Sequence, residues 1–187
     1  MQIERLEIPG VLAITPKRIG DERGFFSEVF REDMLAPHCP GVRLVQDNHS
    51  RSAEAGTVRG LHFQLAPFAQ AKLIRVTRGA IYDVAVDIRV GSPTYGRHVA
   101  RTLSADNWMQ LLVPAGFAHG FCTLEPGTEV QYKVSAYYSA PHDRGLAWDD
   151  PTLGIAWPVA AEKAILSAKD RQHPRLADLP ASFTYSA

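Results

Sequence analysis

The stretch Ile81-Tyr82-Asp83-Val84-Ala85-Val86-Asp87-Ile88 sends Tyr82, Val84, Val86 and Ile88 to one side and Asp83, Ala85 and Asp87 to the other. A period of two marks a β-strand, because successive side chains of an extended backbone point to opposite faces. The same alternation recurs on both sides of it, between turn signals at Asp21-Glu22-Arg23-Gly24, Arg78-Gly79 and Glu125-Pro126-Gly127. It predicts strands from Phe25 to Phe30, Arg43 to His49, Thr57 to Leu65, Lys72 to Arg78, Arg97 to Leu103, Met109 to Val113, Phe117 to Leu124 and Thr128 to Tyr138. Short strands at this spacing imply an all-β sandwich or jelly-roll barrel. Helix is expected only in short pieces near the termini, around Arg31 to Ala36 and from Ala160 onward. With no internal repeat or linker, residues 1–187 read as one domain.

Composition narrows the possible functions. The chain is 45% hydrophobic and 21% charged, which is globular rather than disordered. Its 20 Lys and Arg cancel its 20 Asp and Glu, removing the broad basic field used by nucleic-acid and membrane-surface binders. Any attraction to an anion must be local. Cys39 and Cys122 are too few for a disulfide scaffold or a four-cysteine zinc site, so both are expected to be reduced thiols. The start, Met-Gln-Ile-Glu-Arg, lacks the apolar stretch of a signal peptide. No run reaches the ~18 apolar residues of a membrane helix. These features predict a cytoplasmic protein without nucleic-acid or membrane partners.

Several polar side chains fall on faces that the alternation turns inward. Lys72 shares a face with Ile74 and Val76, and Tyr132 with Val130 and Val134. Gln46 and Asn48 fall beside Leu44, and Glu28 between Phe26 and Phe30. Burying an unpaired polar group costs roughly 2 to 7 kcal/mol. A one-residue slip would invert any one strand, but five such insertions on four strands point to a shared polar cavity. In Arg59-Gly60-Leu61-His62-Phe63-Gln64, strict alternation puts Arg59 and His62 on opposite faces. Both reach one cavity only if the strand bulges, and Gly60 is the place for it.

Barrels that hold a metal often use a His-x-His pair. Here Phe63 and Gln64 follow His62, and Lys72 nearby repels a cation, so no metal centre is expected. A Gly-x-Ser-x-Gly nucleophile and a glycine-rich phosphate loop are also missing.

Taken together, the motifs resemble the dTDP-4-dehydrorhamnose 3,5-epimerase family of cupin-fold enzymes. The resemblance runs from Ile8-Pro9-Gly10-Val11 through Asp21-Glu22-Arg23-Gly24-Phe25-Phe26 and Gln46-Asp47-Asn48-His49-Ser50 to Arg59-Gly60-Leu61-His62-Phe63-Gln64. It continues through Gln70-Ala71-Lys72-Leu73, Val84-Ala85-Val86-Asp87, Gly116-Phe117-Ala118-His119-Gly120-Phe121, Trp148-Asp149-Asp150-Pro151 and Leu166-Ser167-Ala168-Lys169-Asp170. The specificity lies in their common order along the chain.

The resemblance implies a cupin-type jelly roll that acts as an isomerase without cofactors. It would invert C3 and C5 of dTDP-4-dehydro-6-deoxy-D-glucose in dTDP-L-rhamnose biosynthesis. Both carbons adjoin the C4 ketone, so the reaction needs a base, an enolate stabiliser and an acid. By resemblance, His62 is the base, Asp170 its support, Lys72 the stabiliser of the enolate and Tyr132 the proton donor. Ser167 and Asp170 also have the spacing of a helix capping box, which would give Asp170 a structural role instead. The substrate contacts implied are Arg23 and Arg59 at the pyrophosphate, with Phe26, Glu28, Gln46 and Asn48 at the thymidine and sugar. His119, Tyr138, Asp143 and Lys169 complete them. The resemblance further implies a homodimer that exchanges N-terminal strands, in which Arg23, Phe26 and Glu28 could serve the partner. Two alternatives remain: a mono-epimerase of a related dTDP-4-keto sugar, and a cupin that binds a nucleotide sugar without turnover.

Overall fold

The computed structural model describes residues 1–185. Its strands are β1 (Gln2–Arg5), β2 (Leu12–Thr15), β3 (Ile19–Asp21), β4 (Gly24–Phe26), β5 (Gln46–Ser52), β6 (Val58–Gln64), β7 (Lys72–Arg78), β8 (Ala80–Asp87), β9 (Arg89–Val90), β10 (His98–Ser104), β11 (Gln110–Val113), β12 (Phe117–Thr123), β13 (Thr128–Val134), β14 (Asp143–Gly145) and β15 (Phe183–Thr184). Six form an antiparallel sheet in the order β1-β2-β11-β7-β13-β5, and five form a second in the order β10-β8-β12-β6-β14. Ile74, Val76, Leu111 and Val130 of the first pack against Ile81, Ala85, Phe117 and Phe121 of the second. The result is the expected all-β jelly-roll sandwich, with one lumen between its sheets.

β8 shows why both of its faces are apolar enough to bury. Ile81 and Ala85 face the lumen, whereas Val84, Val86 and Ile88 face outward beneath Leu153, Leu176, Leu179 and Phe183. The C-terminal segment therefore covers the second sheet. The short helical pieces expected from Ala160 onward are single-turn 3-10 helices at Ala161–Lys163 and Leu176–Asp178, set in an otherwise extended segment. Pro174 and Pro180 deny it a continuous donor ladder. Ile165 instead hydrogen-bonds Gly56 and Val58. The other short helix, α1 (Glu32–Leu35), lies where it was predicted and buries Leu35.

Three strands stop three or more residues short of the sequence expectation at one end, each because pairing partners run out. β13 stops at Val134, opposite the first residues of both neighbours, Gln46 and Lys72. For the same reason β5 begins only at Gln46, and Leu44 packs into a different cluster with Leu12, Ile14 and Leu73. β4 ends at Phe26, having only β3 as a partner. Glu28 is consequently not an inward strand residue: its carboxylate is exposed and pairs with Arg31 at 3.5 Å.

Candidate active site

A bulge brings the two ends of the β6 motif together. His62 pairs with His119 and Arg59 with Phe121, so two residues of β6, Gly60 and Leu61, oppose Gly120 alone. Gly60 has φ +135°, and a Cβ there would lie 2.6 Å from Gly120 Cα. Only paired glycines let the strands approach so closely. The expected bulge is thus present, and Arg59, His62, Lys72, His119, Tyr132 and Asp170 line one cavity of about 250 Å³.

Within it, His62 Nε2 donates to Asp170 Oδ1 at 2.5 Å. A carboxylate only accepts, so the proton resides on Nε2 and the lone pair on Nδ1 is free. Burial holds the imidazole below its ordinary value, opposed by the Asp170 hydrogen bond. Burial would raise the Asp170 carboxyl, but the imidazoles of His173 and His62 outweigh it and hold the group well below the usual carboxylate range. Asp170 caps no helix. Its N–H does bond Ser167 Oγ at 3.1 Å, as the capping spacing implied, but in a turn.

From the opposite sheet, Lys72 is buried and donates to the His62 carbonyl at 3.1 Å. Burial pushes its ammonium down to about 8, only partly offset by Asp143 and Asp83. Tyr132, also on that sheet, is half-buried and its phenol is raised by burial, with Arg59 opposing. Lys133 turns to the outer face and bonds Asp47 at 2.8 Å, so it leaves Tyr132 unaffected, as alternation requires.

Gln46 holds Asn48 at 2.9 Å and accepts from the Tyr138 N–H at 3.1 Å; none of the three lines this cavity, and Asn48 borders a groove on the outer face of the six-stranded sheet. Tyr138 donates to Asp143, which also pairs with Lys169. Arg59 donates to Ser52 Oγ. Arg23 and Phe26 do not join this cavity: they stand on the exposed β3-β4 hairpin, where Arg23 pairs with Asp21. Glu28 is likewise outside it.

Two residues at the site escaped the sequence reading. Asp83 is fully buried and accepts from His119 Nε2 at 3.0 Å through both oxygens. Its signal was present, since Asp83 lies on the same face as lumen-facing Ala85. His173 gave none, because its turn approaches His62 only through space. His62, Asp170 and His173 bring ligand-type atoms within 4.8 Å of one another. Donors sharing a tetrahedral zinc ion sit roughly 3.3 Å apart, from bond lengths near 2.0 Å. The 2.5 Å spacing of His62 and Asp170 is that of a hydrogen bond, and Lys72 and Lys169 both add positive charge beside it. The cluster suits proton transfer better than a cation.

A second groove, of about 370 Å³, lies on the outer face of the six-stranded sheet beside Phe30, Arg75 and Gln110; Asn48 and Tyr132 also line it, whereas His62 and Asp170 do not.

A family profile described as dTDP-4-dehydrorhamnose 3,5-epimerase matches residues 5–178. The dTDP-4-dehydrorhamnose 3,5-epimerase of Sinorhizobium fredii is 59% identical over 185 residues, 99% of this chain and 94% of that protein. The crystal structure of the Bacillus anthracis enzyme of that name, with TDP and PPi bound, is 52% identical with a TM-score of 0.89, over 93% of this chain and 98% of that one. The dTDP-6-deoxy-D-glucose-3,5-epimerase of Legionella pneumophila, in complex with dTDP-4-keto-L-rhamnose, is 41% identical with a TM-score of 0.94, over 100% and 99% of the two chains. With the profile spanning nearly the whole chain and such identities at full coverage, this protein belongs to the dTDP-4-dehydrorhamnose 3,5-epimerase family of isomerases.

Proposed function

We propose that the chain converts dTDP-4-dehydro-6-deoxy-α-D-glucose to dTDP-4-dehydro-β-L-rhamnose by inverting C3 and C5. The carrying observation is the opposition of groups across the lumen: His62, supported by Asp170, on one sheet, and Tyr132 with buried Lys72 on the other. His62 Nδ1 removes the proton next to the C4 ketone, and its new charge is balanced by Asp170. The electron pair moves to O4, where Lys72 meets the enolate in a water-poor site. Tyr132 returns a proton from the other face. Exchange with solvent then removes the proton from His62 and restores the one on Tyr132, so that repetition at the second carbon completes the reaction, and no step needs a redox or group-transfer cofactor.

A cavity of about 250 Å³ suits the hexose and leaves the nucleotide at its mouth. Arg59 is the pyrophosphate contact there, with Gln46, Asn48, His119, Tyr138, Asp143 and Lys169 around sugar and nucleoside. Arg23, Phe26 and Glu28 serve the cavity of a second copy in a homodimer, a role supported by the exposure of their hairpin, where Phe26 is 66% exposed. Cytoplasmic residence fits Cys39 and Cys122 as free thiols.

Incubation with the 4-keto substrate in deuterated water tests the reading. Deuterium at both C3 and C5 with formation of the L-sugar is expected. Exchange at one carbon would mark a mono-epimerase, and binding without exchange a non-catalytic protein.

A further inference from the structure

Behind the proposed base lies a buried polar atom that the chemistry above leaves without a role. The His173 side chain is 9% exposed, and its Nε2 has no hydrogen-bond partner. It stands 3.4 Å from Asp170 Oδ1, the same oxygen that accepts from His62 at 2.5 Å. The two imidazoles are nearly perpendicular, at 82° with centroids 5.6 Å apart. They therefore approach one carboxylate oxygen along different directions.

The fold builds this placement. A Cβ on Gly145 would fall 2.3 Å from His173 Cε1 and Nε2, so the ring occupies space that any other residue at 145 would take. Gly145 is also the register partner of His62 in the β14-β6 ladder. The His173 ring thus rests on the backbone of the strand that neighbours His62. The Ala147 N–H bonds the Pro174 carbonyl at 2.8 Å and ties down the segment carrying His173.

The other charged groups around this ring are already engaged. Asp143 on β14 is held by Lys169 and Tyr138, and Arg144 bonds the carbonyls of Pro141 and Asp143. Lys72 is bonded to the His62 carbonyl. Asp170 is the carboxylate left within reach. Leaving a buried N–H without an acceptor is costly, so a small rotation that aligns it on the oxygen 3.4 Å away is favoured.

We propose that His173 is a positioning residue for the base: its Nε2–H grips Asp170 Oδ1 from a second direction, fixing the carboxylate against His62 and drawing off part of its charge. The inference rests on His62 being the base. Two donors on one oxygen compete, so His173 weakens the pull of Asp170 that favours the imidazolium, and His62 stays an unprotonated acceptor to lower pH.

The test compares His173→Leu, which removes the N–H and keeps apolar filling, with His173→Gln, which restores an N–H donor. The His62 imidazole is titrated by NMR in the full-length protein, and the pH profile of kcat/KM is recorded beside it. In His173→Leu the His62 titration and the acid limb are expected to move up by about 0.5–1 pH unit, a fraction of the worth of one hydrogen bond to a charged group. His173→Gln is expected to stay near the unaltered protein. Gly145→Ala, which displaces the ring without touching its chemistry, should reproduce the leucine shift and add nothing to it in the double variant. An unmoved His62 titration in both His173→Leu and Gly145→Ala overturns the proposal, as does an equal shift in His173→Gln. The NMR titration needs no turnover. Lack of epimerisation by the unaltered protein would therefore reject the proposed function while the titration still decides the role of His173.

Discussion

His62 and His119 are register partners across the β6-β12 ladder, and each is held by its own buried carboxylate, Asp170 and Asp83. The pairs differ in access: the His62 side chain is 32% exposed and that of His119 is 8%. Only His62 combines a supported Nε2 with an open face toward the cavity, which is what a base needs. Replacement of His62 by Ala is expected to lower solvent exchange at C3 and C5 by about 10²–10⁴-fold, the usual worth of a general base, with dTDP binding retained. His119→Asn should leave exchange measurable. Equal loss of exchange in the two variants, followed by NMR, would remove the distinction between them.

Tyr132 tests the other face of the sugar. Its phenol is raised by burial and remains protonated at neutral pH. Tyr132→Phe is expected to cut formation of the L-sugar by about 10²-fold or more while some deuterium exchange persists, because abstraction by His62 does not require the phenol. Full product formation would exclude Tyr132 as the acid.

The pH profile should be a bell. Activity requires unprotonated His62, held below its ordinary value by burial, and protonated Lys72, at about 8. The kcat/KM profile, which reports the free enzyme, is expected to fall on the acid side as His62 takes up a proton and on the alkaline side near 8. A bound pyrophosphate favours the ammonium, so the alkaline limb of kcat should lie higher.

Lys72 also links catalysis to stability. Its folded value of about 8 lies below the ~10.4 of an unfolded chain. Between these values the unfolded state holds more protons, so Lys72 makes stability rise with pH through that window and costs most below it. Lys72→Met should abolish turnover yet stabilise the fold by about 1–4 kcal/mol at pH 7. The gain should shrink toward pH 10. Urea unfolding across that range measures it, and a constant gain would contradict the linkage.

Gly60→Ala challenges the bulge. The new Cβ would meet the Gly120 backbone at 2.6 Å, in a strand residue whose φ of +135° disfavours any side chain. A loss of about 2–4 kcal/mol is expected in urea unfolding, with kcat/KM falling as Arg59 and His62 lose their common cavity. Unchanged stability would mean that the strands can separate at no cost.

The period-two alternation of Tyr82 to Ile88 determined strand identity and face, because side-chain direction along an extended chain is a local property. The same logic placed Lys72 and Tyr132 inward and located the irregularity at Gly60, where two polar residues needed one cavity from opposite phases. The reach of strands past Phe26, before Gln46 and beyond Val134 was not legible, since a strand persists only while it finds partners. Those partners are distant in sequence.

The His62–Asp170 contact, 108 residues apart, was carried in by family resemblance and not by any local pattern. Tertiary structure alone decided that Asp83 takes His119 and that His173 comes to rest on Gly145. The amino-acid order determined which side chains point into the sandwich. Strand register and the path of the C-terminal cover decided which of them meet, because those distances are set by packing between elements and leave no periodic trace in the chain.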